Sequence, residues 1–173
     1  MPSSSLVPQS DPEKPRVQYP DSLVSLNDMC AVANRKLSTS VSPVYVNGKP
    51  VAFCCTACPA IFSKDPGTYV KNFAPKLDCP VSPNKPAVLE PATRTYVNQD
   101  VFFFSDAKAL RKFVAHPLKY ATRLTDPVSR NRFAPTSKSP HTKLDGRPYY
   151  FESDETFKAF QADPASYAIR KGA

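Results

Sequence analysis

The sequence predicts an α+β protein of three tandem units, each a small β-hairpin followed by a helix. The prediction depends on three stretches, 46–69, 97–120 and 144–167, which align with one another without a gap. Aromatic and proline residues recur at matched positions, as expected if every copy buries the same core and makes the same turn. The matched positions are Phe53, Phe62, Pro66 and Tyr69; Phe104, Phe113, Pro117 and Tyr120; and Phe151, Phe160, Pro164 and Tyr167.

Two short runs of β-forming residues in each copy predict the hairpin. In the first and third units these runs flank Asn47-Gly48 and Asp145-Gly146, dipeptides typical of a tight turn with positive φ. In the second unit we predict the turn at Gln99-Asp100, which is a weaker turn former.

A helix is predicted directly after each hairpin. Ser105-Asp106 and Ser153-Asp154 offer side-chain oxygens to the free N–H groups of a first helical turn. Each helix is expected to end just before a proline, because the residue in front of a proline disfavours the helical conformation. The dipeptides concerned are Asp65-Pro66, His116-Pro117 and Asp163-Pro164.

The predicted organisation is a disordered tail over 1–23, units over 24–72, 73–121 and 122–169, and a short tail over 170–173. Proline, serine and charged residues dominate the first tail, which is a composition typical of disorder. A unit of this size has a marginal core. We therefore expect packing between units, a bound metal ion, or both to help each unit fold.

Composition argues against several classes of protein. Hydrophobic residues make up 41% of the chain, without an apolar run long enough to span a bilayer. The net charge is +8, but the basic residues are scattered, so nucleic acid is not the expected partner. The sequence offers no carboxylate pair, activated serine or phosphate-binding loop, so we do not expect an enzyme. We predict no targeting signal, as in a cytoplasmic protein or the mature form of an exported one.

The distribution of the five cysteines distinguishes residues with a chemical role from residues that only pack the core. Three of them, Cys54, Cys55 and Cys58, fall within five positions of the first unit, and they do not recur in the other two. Serine and glutamate replace Cys54, and alanine and threonine replace Cys58, at the aligned positions Ser105, Glu152, Ala109 and Thr156. A residue needed for packing should recur with the packing. The cluster therefore predicts metal binding or redox chemistry rather than a disulfide framework.

The predicted elements place Cys54 and Cys55 where a strand ends and a helix begins, with Cys58 one helical turn further on. A helix start favours the thiolate, which is the form that binds soft metal ions. Cys30, in the polar loop that opens the unit, is the natural third ligand. Two other interpretations remain open: buried inert thiols, and a redox pair with the Cys55-x-x-Cys58 spacing.

The first unit resembles a YHS/TRASH-type domain. The resemblance rests on Cys30, the Asn47-Gly48 hairpin, the segment 53–58, Phe62 and the segment 65–69, while the segments 79–82 and 126–129 resemble variants of the opening motif. It implies a treble-clef-like fold and a heavy-metal site. The implied ligands are Cys30, Cys54 and Cys58, with Cys55, Cys79, water or a second molecule as the fourth.

Two functions from different classes are predicted. The first is a metal-binding protein for sensing, storage or trafficking, with zinc or copper as the expected ion and the cysteine-free units as a platform for a protein partner. The second is a structural or interaction module in which zinc only stabilises a small core. A thiol redox protein is a weaker third prediction.

Overall fold

The computed structural model describes residues 4–169, and its secondary structure is mixed α+β, as predicted. The strands are β1 (Ser5–Val7), β2 (Arg16–Gln18), β3 (Val44–Val46), β4 (Lys49–Val51), β5 (Arg94–Val97), β6 (Asp100–Phe103), β7 (Leu124–Thr125), β8 (Arg132–Phe133), β9 (His141–Leu144) and β10 (Arg147–Tyr150). The helices are α1 (Cys58–Lys64), α2 (Pro66–Val70), α3 (Ala107–Ala115), α4 (Pro117–Tyr120), α5 (Asp154–Ala162) and α6 (Pro164–Tyr167), with a 3-10 turn at Pro91–Thr93. Within residues 4–169, no helix combines the length and apolar character needed to cross a membrane.

A hairpin followed by two short helices occurs three times along the chain. We call residues 24–72, 73–121 and 122–169 the first, second and third segments. Asp106 caps α3 and Ser153 caps α5 through their side chains. Each longer helix ends at the residue before a proline, where Asp65, His116 and Asp163 leave the helical conformation. The predicted helix boundaries at these prolines are therefore confirmed.

The prediction of a disordered tail over 1–23 is wrong for part of that range. Strands β1 and β2 pair there in antiparallel register. Val17 is fully buried, its N–H donates to Ser25 Oγ at 3.0 Å, and its carbonyl accepts from the Ser25 N–H at 2.8 Å. Burial of one valine and two buried hydrogen bonds thus hold a polar, proline-rich stretch that composition alone assigns to disorder. The predicted tails over 1–3 and 170–173 lie outside the described residues.

The turns of the three repeated hairpins each contain a residue with positive φ. Asn47-Gly48 and Asp145-Gly146 adopt φ values of 49°, 78°, 52° and 77°, as the sequence predicts. The turn of the second hairpin was misplaced by one residue: it lies at Asn98-Gln99, where Asn98 has φ 57°, and Asp100 begins β6. Asparagine tolerates this conformation better than glutamine, which explains the shift.

The first two hairpins share one sheet. Its strand order is β4-β3-β6-β5, and β3 pairs with β6 in parallel through Val46 and Val101. The third hairpin forms a separate two-stranded sheet of β9 and β10. Each helix pair packs a phenylalanine on its own hairpin, in the pairs Phe53–Phe62, Phe104–Phe113 and Phe151–Phe160. Phe103 of the second hairpin lies in the core of the first segment instead.

Turn asparagines join each segment to the next. The amide of Asn98 donates to Thr125 O and Tyr150 O, at 2.8 and 3.0 Å, and its oxygen accepts from Tyr150 N at 2.7 Å. Asn47 makes the same bonds to Asp78 O and to the backbone of Phe103. The turn of one hairpin is thus hydrogen-bonded into the following segment.

A buried ionic network connects all three segments. Arg132 of the third segment lies 2.8 Å from Asp100 Oδ2, and its guanidinium carbon is 3.8 Å from the ring centre of Tyr45. Tyr45 donates to Asp21 at 2.6 Å. Asp100 is only 2% exposed. Burial raises the pKa of Asp100 from 3.8 to about 6, against the opposing effect of Arg132.

The raised pKa of Asp100 leads to a prediction about stability. The folded state holds the carboxyl proton of Asp100 more tightly than the unfolded state does. The stability that this proton contributes is therefore fully present below the unfolded pKa of 3.8 and is lost as pH rises through about 6. This difference between the folded and unfolded pKa of Asp100 corresponds to about 3 kcal/mol. We expect the unfolding free energy of the wild type, relative to Asp100→Asn, to fall by up to that amount between about pH 4 and pH 7. Urea unfolding at several pH values measures it; parallel curves for the two proteins would contradict the prediction.

Candidate metal centre

Four cysteines of the first segment converge from two parts of the chain. Cys30 lies in a tight turn in which its N–H donates to Arg35 O at 2.8 Å and its carbonyl accepts from Asn34 N at 3.0 Å. Asn34 has φ 53°, which closes the turn. Cys54 and Cys55 follow the strand β4, and Cys58 is the first residue of α1.

The helix begins later than predicted. Cys54 and Cys55 lie in bends before α1, and the N–H of Cys58 donates to Cys55 O at 3.3 Å. The prediction that Cys54 and Cys55 start the helix is therefore wrong. Pro59, in the first turn of α1, fits the observed start because a proline N would be unpaired there in any case.

The sulfur atoms of Cys30, Cys54 and Cys58 all lie within 4.8 Å of one another. We call these three residues the cysteine triad. The Cys54 and Cys58 sulfurs are 3.8 Å apart. Two sulfurs bound to one tetrahedral zinc ion at about 2.3 Å are separated by about 3.8 Å, so the spacing fits one ion. Among residues 4–169, this is the one group of three or more His, Cys, Asp or Glu side chains with such spacing.

Exposure of the thiols rises across the centre. Cys30 and Cys58 are each 3% exposed, Cys54 is half-buried, and Cys55 is exposed. Cys55 does not belong to the triad, but its sulfur is 3.3 Å from that of Cys58. The centre therefore has a closed side and a side that faces solvent.

Local hydrogen bonds divide the thiols into two kinds. Burial opposes ionisation of Cys30, but backbone N–H groups of Ala33 and its neighbours outweigh it and lower the pKa of that thiol. The hydrogen bond from Cys58, together with backbone N–H groups, lowers the pKa of Cys55. Burial and neighbouring sulfurs raise the pKa of Cys54 and that of Cys58. A soft ion bound by these sulfurs would displace the thiol protons.

Asn27 connects the two parts of the centre, a role that sequence analysis missed. Its amide donates to Met29 O at 2.7 Å and to Ala52 O at 2.8 Å, and its oxygen accepts from Ala52 N at 2.9 Å. The turn that carries Cys30 is thus fixed to the residues just before Cys54. An isolated asparagine in a polar loop carries no sequence signal for such a contact.

The second segment supports the helix that bears Cys58. Tyr96 donates to Ser63 O at 2.6 Å, and Arg94 donates to Lys64 O at 3.2 Å. Both carbonyls lie in the last turn of α1, where they would otherwise be unpaired. The position of the helix therefore depends on contacts from outside the first segment.

Cys79 lies apart from the triad. It is fully buried in the core of the second segment, with Phe104, Phe113 and Leu124. Backbone N–H groups of Ser105, Ser82 and Val81 outweigh its burial and lower the pKa of this thiol. The structure therefore brings together four of the five predicted site cysteines, Cys30, Cys54, Cys55 and Cys58, and leaves Cys79 in another core.

The third segment has a hydrogen-bond cluster at the positions aligned with the triad. Asp126 takes the place of Cys30 and is fully buried. Its carboxylate accepts from the N–H groups of Val128, Ser129 and Glu152 and from the Thr156 hydroxyl, at 2.8 to 3.0 Å. The turn at Asp126 matches the turn at Cys30, because Asp126 N donates to Asn131 O and Arg130 has φ 65°. The same backbone arrangement thus holds a carboxylate that is hydrogen-bonded within its own segment in the third segment, and a sulfur cluster in the first.

Fold and site together define a mixed α+β protein with a cysteine cluster that could hold a metal ion. Comparison of the chain with protein-family models, with curated proteins and with solved structures gave no match.

Proposed function

We propose that the chain binds a thiophilic transition-metal ion, zinc or copper(I), through the thiolates of Cys30, Cys54 and Cys58. The observation that carries the proposal is the convergence of these three sulfurs within 4.8 Å from two separate parts of the chain. Thiolates are the ligands that soft ions prefer. The aligned positions of the third segment hold a satisfied carboxylate instead, so the convergence is not a requirement of the backbone.

The proposal extends to the type of domain and its role. A turn carrying one ligand, a hairpin, and a helix that begins at another ligand support a treble-clef-like unit of the YHS/TRASH type in the first segment. We propose metal sensing, storage or trafficking rather than catalysis. The open side at Cys55 supports this, because an ion that is exchanged needs an accessible face.

The test is the metal content of the freshly purified, reduced full chain, followed by titration with zinc, copper(I) and cadmium. We expect one ion per chain, and protection from a thiol reagent of the three triad thiols. A Cys30→Ser/Cys54→Ser/Cys58→Ser protein is the control. A wild type that binds none of the three ions more tightly than this control would overturn the proposal.

A structural zinc site is the second candidate, and the burial of Cys30 and Cys58 favours it. Both thiols are 3% exposed, and an ion there would link the turn at Cys30 to α1. In a structural site, removal of the ion unfolds the segment. A circular dichroism spectrum that is retained after chelation supports the exchange function, and loss of the folded spectrum supports the structural one.

A further inference from the structure

We propose that Cys55 is the thiol through which the ion enters and leaves the cysteine triad, and that a thiol-bearing acceptor receives the ion there. This inference rests on the proposed function, since it assigns a role at the same site. It is carried by the contrast between the exposed Cys55 and the two nearly buried ligands beside it.

The first step of the argument is distance. Cys55 Sγ is 3.3 Å from Cys58 Sγ, whereas Cys54 Sγ is 3.8 Å from it. A sulfur this close to one ligand is within reach of an ion bound to that ligand at about 2.3 Å. Cys55 nevertheless lies outside the group of three that are mutually close. It is therefore placed beside the ion site rather than within it.

The second step is access. Cys30 and Cys58 are nearly sealed from solvent, so an acceptor cannot approach the ion from their side. Cys54 is half-buried, and Cys55 is the exposed thiol of the cluster. An acceptor that arrives from solvent meets Cys55 first.

The exchange is a ligand substitution without redox change. The bond between the ion and Cys54 breaks as the bond between the ion and Cys55 forms, and the proton of the Cys55 thiol passes to the Cys54 thiolate. A thiol of the acceptor then replaces a protein thiolate in the same way, giving its proton to the sulfur that leaves. The charge and oxidation state of the ion are unchanged throughout.

The chemistry of the acceptor follows from that of the site. An ion held by thiolates moves most readily to another thiolate, because each intermediate keeps the soft ligands it prefers. A small cellular thiol and a cysteine pair of another protein share this chemistry. Parallel transfer experiments with glutathione and with a dithiol peptide distinguish the two sources. A faster transfer of the ion to the peptide, at equal thiol concentration, assigns a protein acceptor. An equal transfer rate assigns a small thiol.

The test compares Cys55→Ser with the wild type, both loaded with cadmium as full-length chains. We expect the transfer rate to glutathione to fall by about tenfold or more, while the equilibrium affinity stays within about threefold. Uptake of cadmium from its glutathione complex must slow by a similar factor, because the equilibrium constant of this exchange is the ratio of its forward and reverse rates. Cys79→Ser, the same substitution at a cysteine that lies away from the cluster, should leave both rates unaltered.

Two results would overturn the inference. Unchanged transfer and uptake rates in Cys55→Ser would remove the exchange role while leaving the metal site intact. A large loss of affinity with faster release would make Cys55 an ordinary fourth ligand. A wild type that binds no ion at all would overturn the proposed function itself. This result can be distinguished from the two results for Cys55→Ser, in which the wild type binds the ion.

Discussion

Replacing Cys30, Cys54 or Cys58 by serine is expected to weaken ion binding by at least about a hundredfold. Removal of a partner outside the coordination shell already costs roughly ten- to a hundredfold in affinity, and each of these thiols is proposed to contact the ion. The effect should be largest for the two buried positions, because Cys30 and Cys58 are each 3% exposed and water cannot easily replace the lost sulfur. Competition with a chromophoric chelator measures the affinity of each variant.

The control for this series is Cys79→Ser. Cys79 is also buried, but it packs in the core of the second segment, away from the triad. Its replacement should leave affinity for the ion at the wild-type value. Full retention of the ion by Cys30→Ser or by Cys58→Ser would show that the convergence of sulfurs has another cause.

Replacing Asn98 by aspartate is expected to lower the unfolding free energy by about 3 kcal/mol. The change removes two amide donations, to Thr125 O and Tyr150 O, and places a carboxylate against these carbonyls. Asn98 is 1% exposed, so water does not compensate. The turn itself should tolerate aspartate, because Asp145 has φ 52° at the aligned position.

The reciprocal change Asp145→Asn is the matched control. Asp145 occupies the same turn position in the third hairpin, but it is exposed. We expect a stability change within about 0.5 kcal/mol. The chain has no tryptophan, so urea unfolding should be followed by circular dichroism or tyrosine fluorescence. Equal effects of the two changes would show that Asn98 acts on its own turn rather than on the third segment.

Local patterns predicted much of the fold. The caps at Asp106 and Ser153, and the helix ends before Pro66, Pro117 and Pro164, depend on neighbours in sequence, and they are found where predicted. The turn predicted at Gln99-Asp100 lies one residue earlier, at Asn98-Gln99, because asparagine adopts positive φ more readily than glutamine does.

Contacts between distant residues could not be predicted. The parallel pairing of β3 with β6 joins residues that are far apart in sequence, and no local pattern encodes it. The same holds for the ion pair of Arg132 with Asp100 and for the side-chain bonds of Asn27. Each of these contacts joins residues that are brought together only when distant parts of the chain pack against one another.

The candidate site was more accessible to prediction than the contacts around it. Comparison of the repeats predicts Cys54 and Cys58 as ligands and the opening turn adds Cys30, and the sulfurs of these three residues do converge. What could not be foreseen was the division between the two nearly buried ligands, Cys30 and Cys58, and the exposed Cys55. That division depends on the late start of α1, which leaves Cys54 and Cys55 in bends.

The pairing of β3 with β6 has a consequence for the first segment as an independent module. Strand β3, Val44–Val46, is buried along its whole length, and β6 covers the edge that β4 leaves open. A first segment cut away from its neighbour would expose an unpaired apolar strand edge, which is a template for self-association. The second segment therefore serves the first without contributing a thiol to its cysteine cluster, by keeping β3 from pairing with another chain.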